Sequence, residues 1–263
     1  MVCSRDFLRA KIERRKLSVV TCYDYTFARL LSKSAIDGIL VGDSAAMVMH
    51  GHPSTLSASV ELIRLHTEAV VRGAAGKFVV ADMPFLSCRK GLAAGLDAAH
   101  VLMTAGASAV KLEGVDGHED VIQRLVQSGI PVMGHLGLQP QCVHAYGGFR
   151  VQGRSDDSAR DIARQATALE ELGAFAIVLE CIPANLAQQI TKPLRIPTIG
   201  IGAGAGCDGQ ILVLQDLLGM NMDFHPKFAR PFLDGARSVL DAIAHFDEAV
   251  KAGTFPATEE SYS

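Results

Sequence analysis

Seven polar residues stand at the ends of short apolar runs in this 263-residue chain: Asp43 with Ser44, Asp82, Lys111 with Glu113, His135, and Glu180. Four of them are carboxylic acids. Carboxylates brought close together raise one another's pKa, a cost that a cation removes. Oxygen donors without a His or Cys cluster select a hard cation, so the acids predict Mg2+, with Mn2+ as the variant, held by two or three carboxylates. Glu180 ends the sixth run, which a closed barrel would set across from the second to fourth, and is assigned as a general base acting on a ligand rather than a ligand of the same ion. Lys111 reads in three ways: a charge partner for an anionic substrate, a Schiff-base amine, or an ion pair with a neighbouring acid. His135 either orients a substrate carboxylate, donates a hydrogen bond, or is a core histidine. For a lone strand-end Asp or Ser, the plain structural reading is a cap on the following helix.

The runs between these residues are what must gather them. Eight are short and rich in β-branched residues: Leu17 to Cys22, Ile36 to Val41, Lys77 to Ala81, Ala109 to Leu112, Pro131 to Gly134, Phe175 to Leu179, Ile196 to Ile201 and Ile211 to Leu214. Continuous apolarity fits strands covered on both faces. Helical segments separate most of them, at Tyr25 to Lys33, Ala58 to Arg72, Leu92 to Ala105, Glu119 to Gln127 and Asp156 to Leu172. Eight βα units in one α/β domain spanning 1–263 predict a TIM (β/α)8 barrel, with a doubly wound open sheet as the alternative. The basic segment before Ser18 reads as a short N-terminal capping helix.

In such a barrel the C-terminal ends of all strands meet on one rim. Side chains alternate along a strand, so Lys111 and Glu113 point inward together while Val110 and Leu112 pack outward. The same parity groups Asp82 with Val80 and Phe78, Glu180 with Val178, and Asp43 with Val41 and Ile39. Two connections depart from the βα pattern. Gly137 to Arg154 is long and polar, which marks a functional loop that Gly147 and Gly148 let bend over the site. Gly202 to Gln210 is too short for a crossover helix, and the glycines from Gly200 to Gly206 read as close backbone approach in a tight turn rather than a phosphate cradle.

Composition excludes other classes. The net charge is −3, there is no Trp, and only 6% of residues are aromatic, so no basic, base-stacking surface for nucleic acid exists. No apolar run is long enough to span a membrane. Six cysteines are scattered without a CxxC pair, as in a reduced, cytoplasmic protein. Among the histidines, His50 and His52 read as loop structure, and His66, His100, His118, His144, His225 and His245 show no metal-ligand spacing.

The ordered motifs Thr21-Cys22-Tyr23-Asp24-Tyr25, Val41-Gly42-Asp43-Ser44, Ala81-Asp82-Met83-Pro84-Phe85, Val110-Lys111-Leu112-Glu113-Gly114, Gly134-His135-Leu136-Gly137-Leu138, Gly147-Gly148-Phe149 and Val178-Leu179-Glu180-Cys181 resemble the ketopantoate hydroxymethyltransferase family. The likeness runs from about Ser18 to Leu233. It implies a TIM barrel that uses Mg2+ and 5,10-methylenetetrahydrofolate to transfer a hydroxymethyl group to 3-methyl-2-oxobutanoate through a metal-stabilised enolate. The product would be 2-dehydropantoate, on the route to pantothenate. The resemblance also implies a homo-oligomer, a decamer of two pentameric rings. By matched position, Asp43 and Asp82 would be metal ligands, Glu113 a further metal contact that can pass through water, and Glu180 the catalytic base. Ser44 and Lys111 would contact the keto acid, around which Asp43, Asp82 and His135 also gather. Ala45-Ala46 and Ser87-Cys88-Arg89-Lys90-Gly91 depart from the family's usual residues. The rival readings are a folate-independent metal-enolate lyase or mutase of the phosphoenolpyruvate mutase and isocitrate lyase type, a Schiff-base aldolase using Lys111, and a barrel that only binds metabolites.

Overall fold

The structure, a computed structural model, describes residues 3–222 and 226–262; Met1, Val2, Asp223, Phe224, His225 and Ser263 lie outside the described residues. These residues divide into two compact units, one ending at Leu212 and one beginning at Val213. No change of composition marks that division. Every residue of the predicted site belongs to the first unit.

The first unit is a closed barrel of eight parallel strands in sequential order. The strands are β1 (Leu17–Thr21), β2 (Gly38–Val41), β3 (Phe78–Asp82), β4 (Ala109–Glu113), β5 (Val132–Gly137), β6 (Ala176–Glu180), β7 (Thr198–Ile201) and β8 (Gly209–Leu212). β1 pairs with both β2 and β8, which closes the ring. Intervening helices cover the outside, and several start where a polar side chain satisfies a free backbone donor. The Asp24 carboxylate accepts from the N–H of Phe27 at the head of Tyr25–Ser32, and Ser59 and Ser155 cap Val60–Gly73 and Asp156–Glu171 in the same way. The short β7 to β8 connection carries no helix, as its length requires.

Two apolar layers follow from strand alternation. Val19, Leu40, Phe78, Val80, Met133 and Val178 fill the barrel, whereas Ile39, Val41, Val79, Val110, Leu112 and Leu179 pack outward under the helices. The N-terminal helix Ser4–Ile12 closes the bottom: Phe7 is buried, its ring 5.2 Å from that of Phe78 and 5.5 Å from that of Phe175. The capping-helix expectation therefore holds.

Two details correct the sequence reading. Asp43 does not extend an inward row with Ile39 and Val41, because both of those face outward and the inward position of β2 is Leu40. β2 ends at Val41, and the chain turns through Gly42 before Asp43 arrives at the rim. A Cβ at Gly42 would lie 3.0 Å from Ser44 Oγ, so the bare glycine leaves room for that hydroxyl. β8 begins at Gly209 rather than Ile211. Gly209 packs so closely on β1 that a Cβ there would lie 2.5 Å from the Leu17 carbonyl oxygen, a contact that hydrophobic patterning does not record.

Gly137 sets the approach of β5 to the C-terminal end of β6. Its φ is +92°, and an added Cβ would lie 2.2 Å from the Glu180 carbonyl oxygen. Gly137→Ala therefore combines a left-handed backbone with a backbone clash, and is expected to lower stability in urea unfolding by at least about 2 kcal/mol. An unchanged midpoint would contradict this packing.

Candidate active site

Strand register brings the polar residues side by side. Asp82 is level with Lys111 across β3 and β4, Glu113 with His135 across β4 and β5, and Glu180 with Gly137 across β5 and β6. The inward rows on β3 and β6 are apolar below and polar at their last position, and that of β4 is polar at its last two, Lys111 and Glu113, as parity predicts. Asp43, Asp82, Lys111, Glu113 and His135 are all buried.

Lys111 and Asp82 form the central ion pair, with Nζ 2.6 Å from Oδ1 and both side chains almost wholly enclosed. Burial acts to lower the Lys111 pKa, but Asp82, Asp43 and Glu113 outweigh it and hold the ammonium well above its ordinary range. A protonated, ion-paired amine is not a nucleophile, which argues against the Schiff-base reading. Asp43 donates its backbone N–H to Asp82 Oδ2 at 2.9 Å. Its own carboxyl is pushed far above the ordinary carboxylate range by burial first and then by the charges of Asp82 and Glu113, against which Lys111 and Gln141 act.

His135 stands between two acids. Its Nε2 is 3.1 Å from Glu180 Oε2 and its Nδ1 is 3.4 Å from Glu113 Oε1. Neither contact has hydrogen-bond alignment, so charge carries the attraction. Burial and Lys111 act to lower the imidazole pKa; Glu113 and Glu180 outweigh them and raise it to about 9. The ring is then an imidazolium at neutral pH, bridging the proposed base to the acid cluster. Glu180 is the most open member, with 18% of its side chain exposed against 3% for His135. Of the four acids it is the one most open to solvent.

Ser44 is partly exposed beside this cluster, and its Oγ lies 2.7 Å from the Tyr23 hydroxyl. Tyr23 in turn sits on a histidine pair: His66 Nδ1 meets the Tyr23 carbonyl oxygen at 2.6 Å, and His66 Nε2 meets His50 Nε2 at 2.9 Å. His50 lies in the turn after the helix Ala45–Val48, in keeping with its reading as loop structure. Arg89, one of the departures from the family's pattern, donates to the carbonyls of Asp116 at 2.9 Å and Glu113 at 3.3 Å, steadying the turn that follows β4.

Sequence reasoning missed Gln141. It flagged the loop after β5 as functional but singled out no side chain there. Gln141 donates from Nε2 to Asp43 Oδ2 at 2.8 Å and from its backbone N–H to Glu113 Oε2 at 3.1 Å. Lone glutamines in loops carry no periodic signal, and only the adjacent Pro140 marks the turn that aims this one.

The donor set fits a hard divalent cation in chemistry and charge. The four acids Asp43, Asp82, Glu113 and Glu180 outnumber the two cations among them, Lys111 and the imidazolium of His135, and Glu113 Oε1 is buried without a hydrogen bond, 3.4 Å from His135 Nδ1. Among the described residues no three His, Cys, Asp or Glu side chains converge as a ready-made ligand shell. Asp43 and Asp82 are the adjoining pair, and Glu113 joins them through Gln141.

Known proteins place the chain. The sequence profile of ketopantoate hydroxymethyltransferases matches residues 2–258. The 3-methyl-2-oxobutanoate hydroxymethyltransferase of Bdellovibrio bacteriovorus is 54% identical over 258 residues, covering 98% of each chain. That of Coxiella burnetii is 52% identical over 255 residues, covering 97% of this chain and 96% of the relative. Among solved structures, phosphonopyruvate hydrolase in complex with oxalate and Mg2+ superposes with a TM-score of 0.63 at 14% identity, covering 99% of this chain and 93% of that one. A 2,3-dimethylmalate lyase of the phosphoenolpyruvate mutase and isocitrate lyase superfamily superposes with a TM-score of 0.61 at 16% identity, covering 100% and 92%. At these identities the structural likeness shows the barrel fold.

Removing the buried ammonium leaves Asp82 and Asp43 uncompensated. Lys111→Met, which keeps the stem and deletes the charge, is expected to cost about 3–5 kcal/mol in chemical denaturation at neutral pH without added metal. A loss under about 1 kcal/mol would mean that the ion pair does not hold the rim together.

Proposed function

Because this chain belongs to the ketopantoate hydroxymethyltransferase family, we propose that it transfers a hydroxymethyl group from 5,10-methylenetetrahydrofolate to 3-methyl-2-oxobutanoate in a Mg2+-dependent reaction giving 2-dehydropantoate. The observation that carries this reading is the open carboxylate of Glu180, held by His135 at 3.1 Å beside a buried cluster of acids that needs a cation.

Asp43 and Asp82 would hold Mg2+ directly and Glu113 through solvent. When bound, the cation supplies Lewis-acid polarisation of a substrate oxygen and offsets the acids' mutual repulsion. The protein's own groups do the rest. Lys111 supplies a fixed positive charge for the substrate carboxylate, and the Ser44 hydroxyl, oriented by Tyr23, supplies a hydrogen bond at the same end. Glu180 takes the proton from C3 of the keto acid. The electron pair left on C3 attacks the one-carbon unit of the folate, and one water is consumed as tetrahydrofolate leaves and the hydroxymethyl product forms. His135 holds the Glu180 carboxylate at one end of its ring and Glu113 at the other, so the base cannot swing away from the cluster.

The shared fold of the phosphoenolpyruvate mutase and isocitrate lyase superfamily keeps one alternative, a metal-dependent lyase or mutase that needs no folate. Folate dependence separates the two. The same proposal places the enzyme in the cytoplasm as a homo-oligomer, the decamer that the family resemblance implies. All six cysteines are free thiols, and no helix among the described residues is long and apolar enough to cross a membrane. Leu30 and Leu65, on the packed helices Tyr25–Ser32 and Val60–Gly73, are exposed and support a subunit contact.

Proton NMR of the purified protein with both substrates is expected to show 2-dehydropantoate only when keto acid, 5,10-methylenetetrahydrofolate and Mg2+ are all present. Glu180→Gln is expected to bind the keto acid and lose at least about 100-fold in turnover. Product formed with a chelator present, or undiminished turnover in Glu180→Gln, would overturn the mechanism; turnover of the keto acid without folate would favour the alternative.

A further inference from the structure

Among the described residues Gln141 hydrogen-bonds to the carboxylates of both Asp43 and Glu113, yet it belongs to none of the strands that carry the acids. It sits in the turn Pro140–Cys142 of the loop after β5. Its side-chain Nε2 donates to Asp43 Oδ2 at 2.8 Å and to the Met83 carbonyl oxygen at 3.1 Å. Its backbone N–H donates to Glu113 Oε2 at 3.1 Å. A primary amide nitrogen carries two hydrogens, and both are engaged, which fixes the plane of the amide and identifies which of its ends faces Asp43. The Met83 carbonyl follows Asp82 directly in the chain, so the three contacts tie together the chain ends that carry Asp43, Asp82 and Glu113.

These bonds choose which oxygen of each acid remains free. With Oδ2 of Asp43 and Oε2 of Glu113 taken, Oδ1 of Asp43 is left for a ligand, while Oε1 of Glu113, buried without a hydrogen bond, faces His135 Nδ1 at 3.4 Å. We propose that Gln141 is a positioning residue for the cation site: it orients the carboxylate of Asp43 so that its free oxygen is presented to Mg2+ before the metal arrives, and fixes Glu113 beside it. This rests on the Mg2+ reading above and extends it to a residue outside the ligand set. Groups that hydrogen-bond to metal-ligating carboxylates fix their orientation and raise affinity without touching the ion. The residue type follows from the geometry. Glu at this position would lose both donors and add a further acid, and Asn would fall one methylene short.

The test is calorimetric titration with Mg2+, supported by Mn2+ titration followed by electron paramagnetic resonance, on the full chain. Gln141→Met preserves length and the backbone N–H to Glu113 while removing the side-chain donor; Gln141→Asn is a second, polar variant should the first fold poorly. Both are expected to bind Mg2+ about 10–100-fold more weakly than the parent protein. Their thermal midpoints should remain near the parent value, and turnover at saturating Mg2+ should recover to within about threefold, the metal half-saturation point alone having moved. A purely structural defect in the loop would not be rescued by excess metal, and that outcome would overturn the role. So would a Mg2+ affinity within about twofold of the parent in a folded variant. A parent protein that binds no Mg2+ would overturn the metal reading itself and this inference with it.

Discussion

Acids buried above an apolar barrel repel one another and lose their hydration, and the rim is organised to meet that cost. Lys111 enters from β4 to pair with Asp82, and Asp43 spends its backbone N–H on the same carboxylate. His135, charged at neutral pH, separates Glu113 from Glu180. Two cations set against four acids leave the cluster short of positive charge, which is what holds the Asp43 carboxyl far above its ordinary range, and a divalent cation has both the charge and the ligand preference to complete the balance.

The rest of the first unit serves this arrangement. Parallel register places Asp82 beside Lys111 and Glu113 beside His135, so the charge pairs are a consequence of strand order. Apolar side chains such as Val80, Met133 and Val178 exclude water from beneath the cluster, and Phe7 closes the far end of the barrel against Phe78 and Phe175. A dry floor strengthens each electrostatic contact above it. Of the four acids Glu180 keeps the most solvent exposure, which is the ground for proposing it as the acid that meets substrate and the other three as the acids that would hold a cation.

How much of this could be read in the sequence depends on where each residue sits. Asp82, Lys111, Glu113 and Glu180 were legible because they close regular strands, where alternation by two residues decides which face a side chain takes. Asp43 was legible as a site residue, but not by the route that alternation suggested: it lies past the end of β2, beyond the turn at Gly42, where strand parity no longer applies. β8 was displaced by two residues because Gly209 and Gln210 pair in the sheet without any apolar signature. His135 could be located but its partners could not, since its placement between two acids depends on register across three strands. Gln141 and the Tyr23 contact to Ser44 were out of reach, because loop geometry rather than periodicity aims them.

The central claim is that this rim makes a nucleophilic carbon from a keto acid, with Glu180 as the base and a divalent cation as its support. It is tested most directly by incubating the protein with 3-methyl-2-oxobutanoate in deuterated water without any folate and following the C3 proton by NMR. The account predicts exchange in the presence of Mg2+ that disappears with a chelator and in Glu180→Gln. Exchange that persists in either control, or no exchange with Mg2+ and the parent protein, would contradict it.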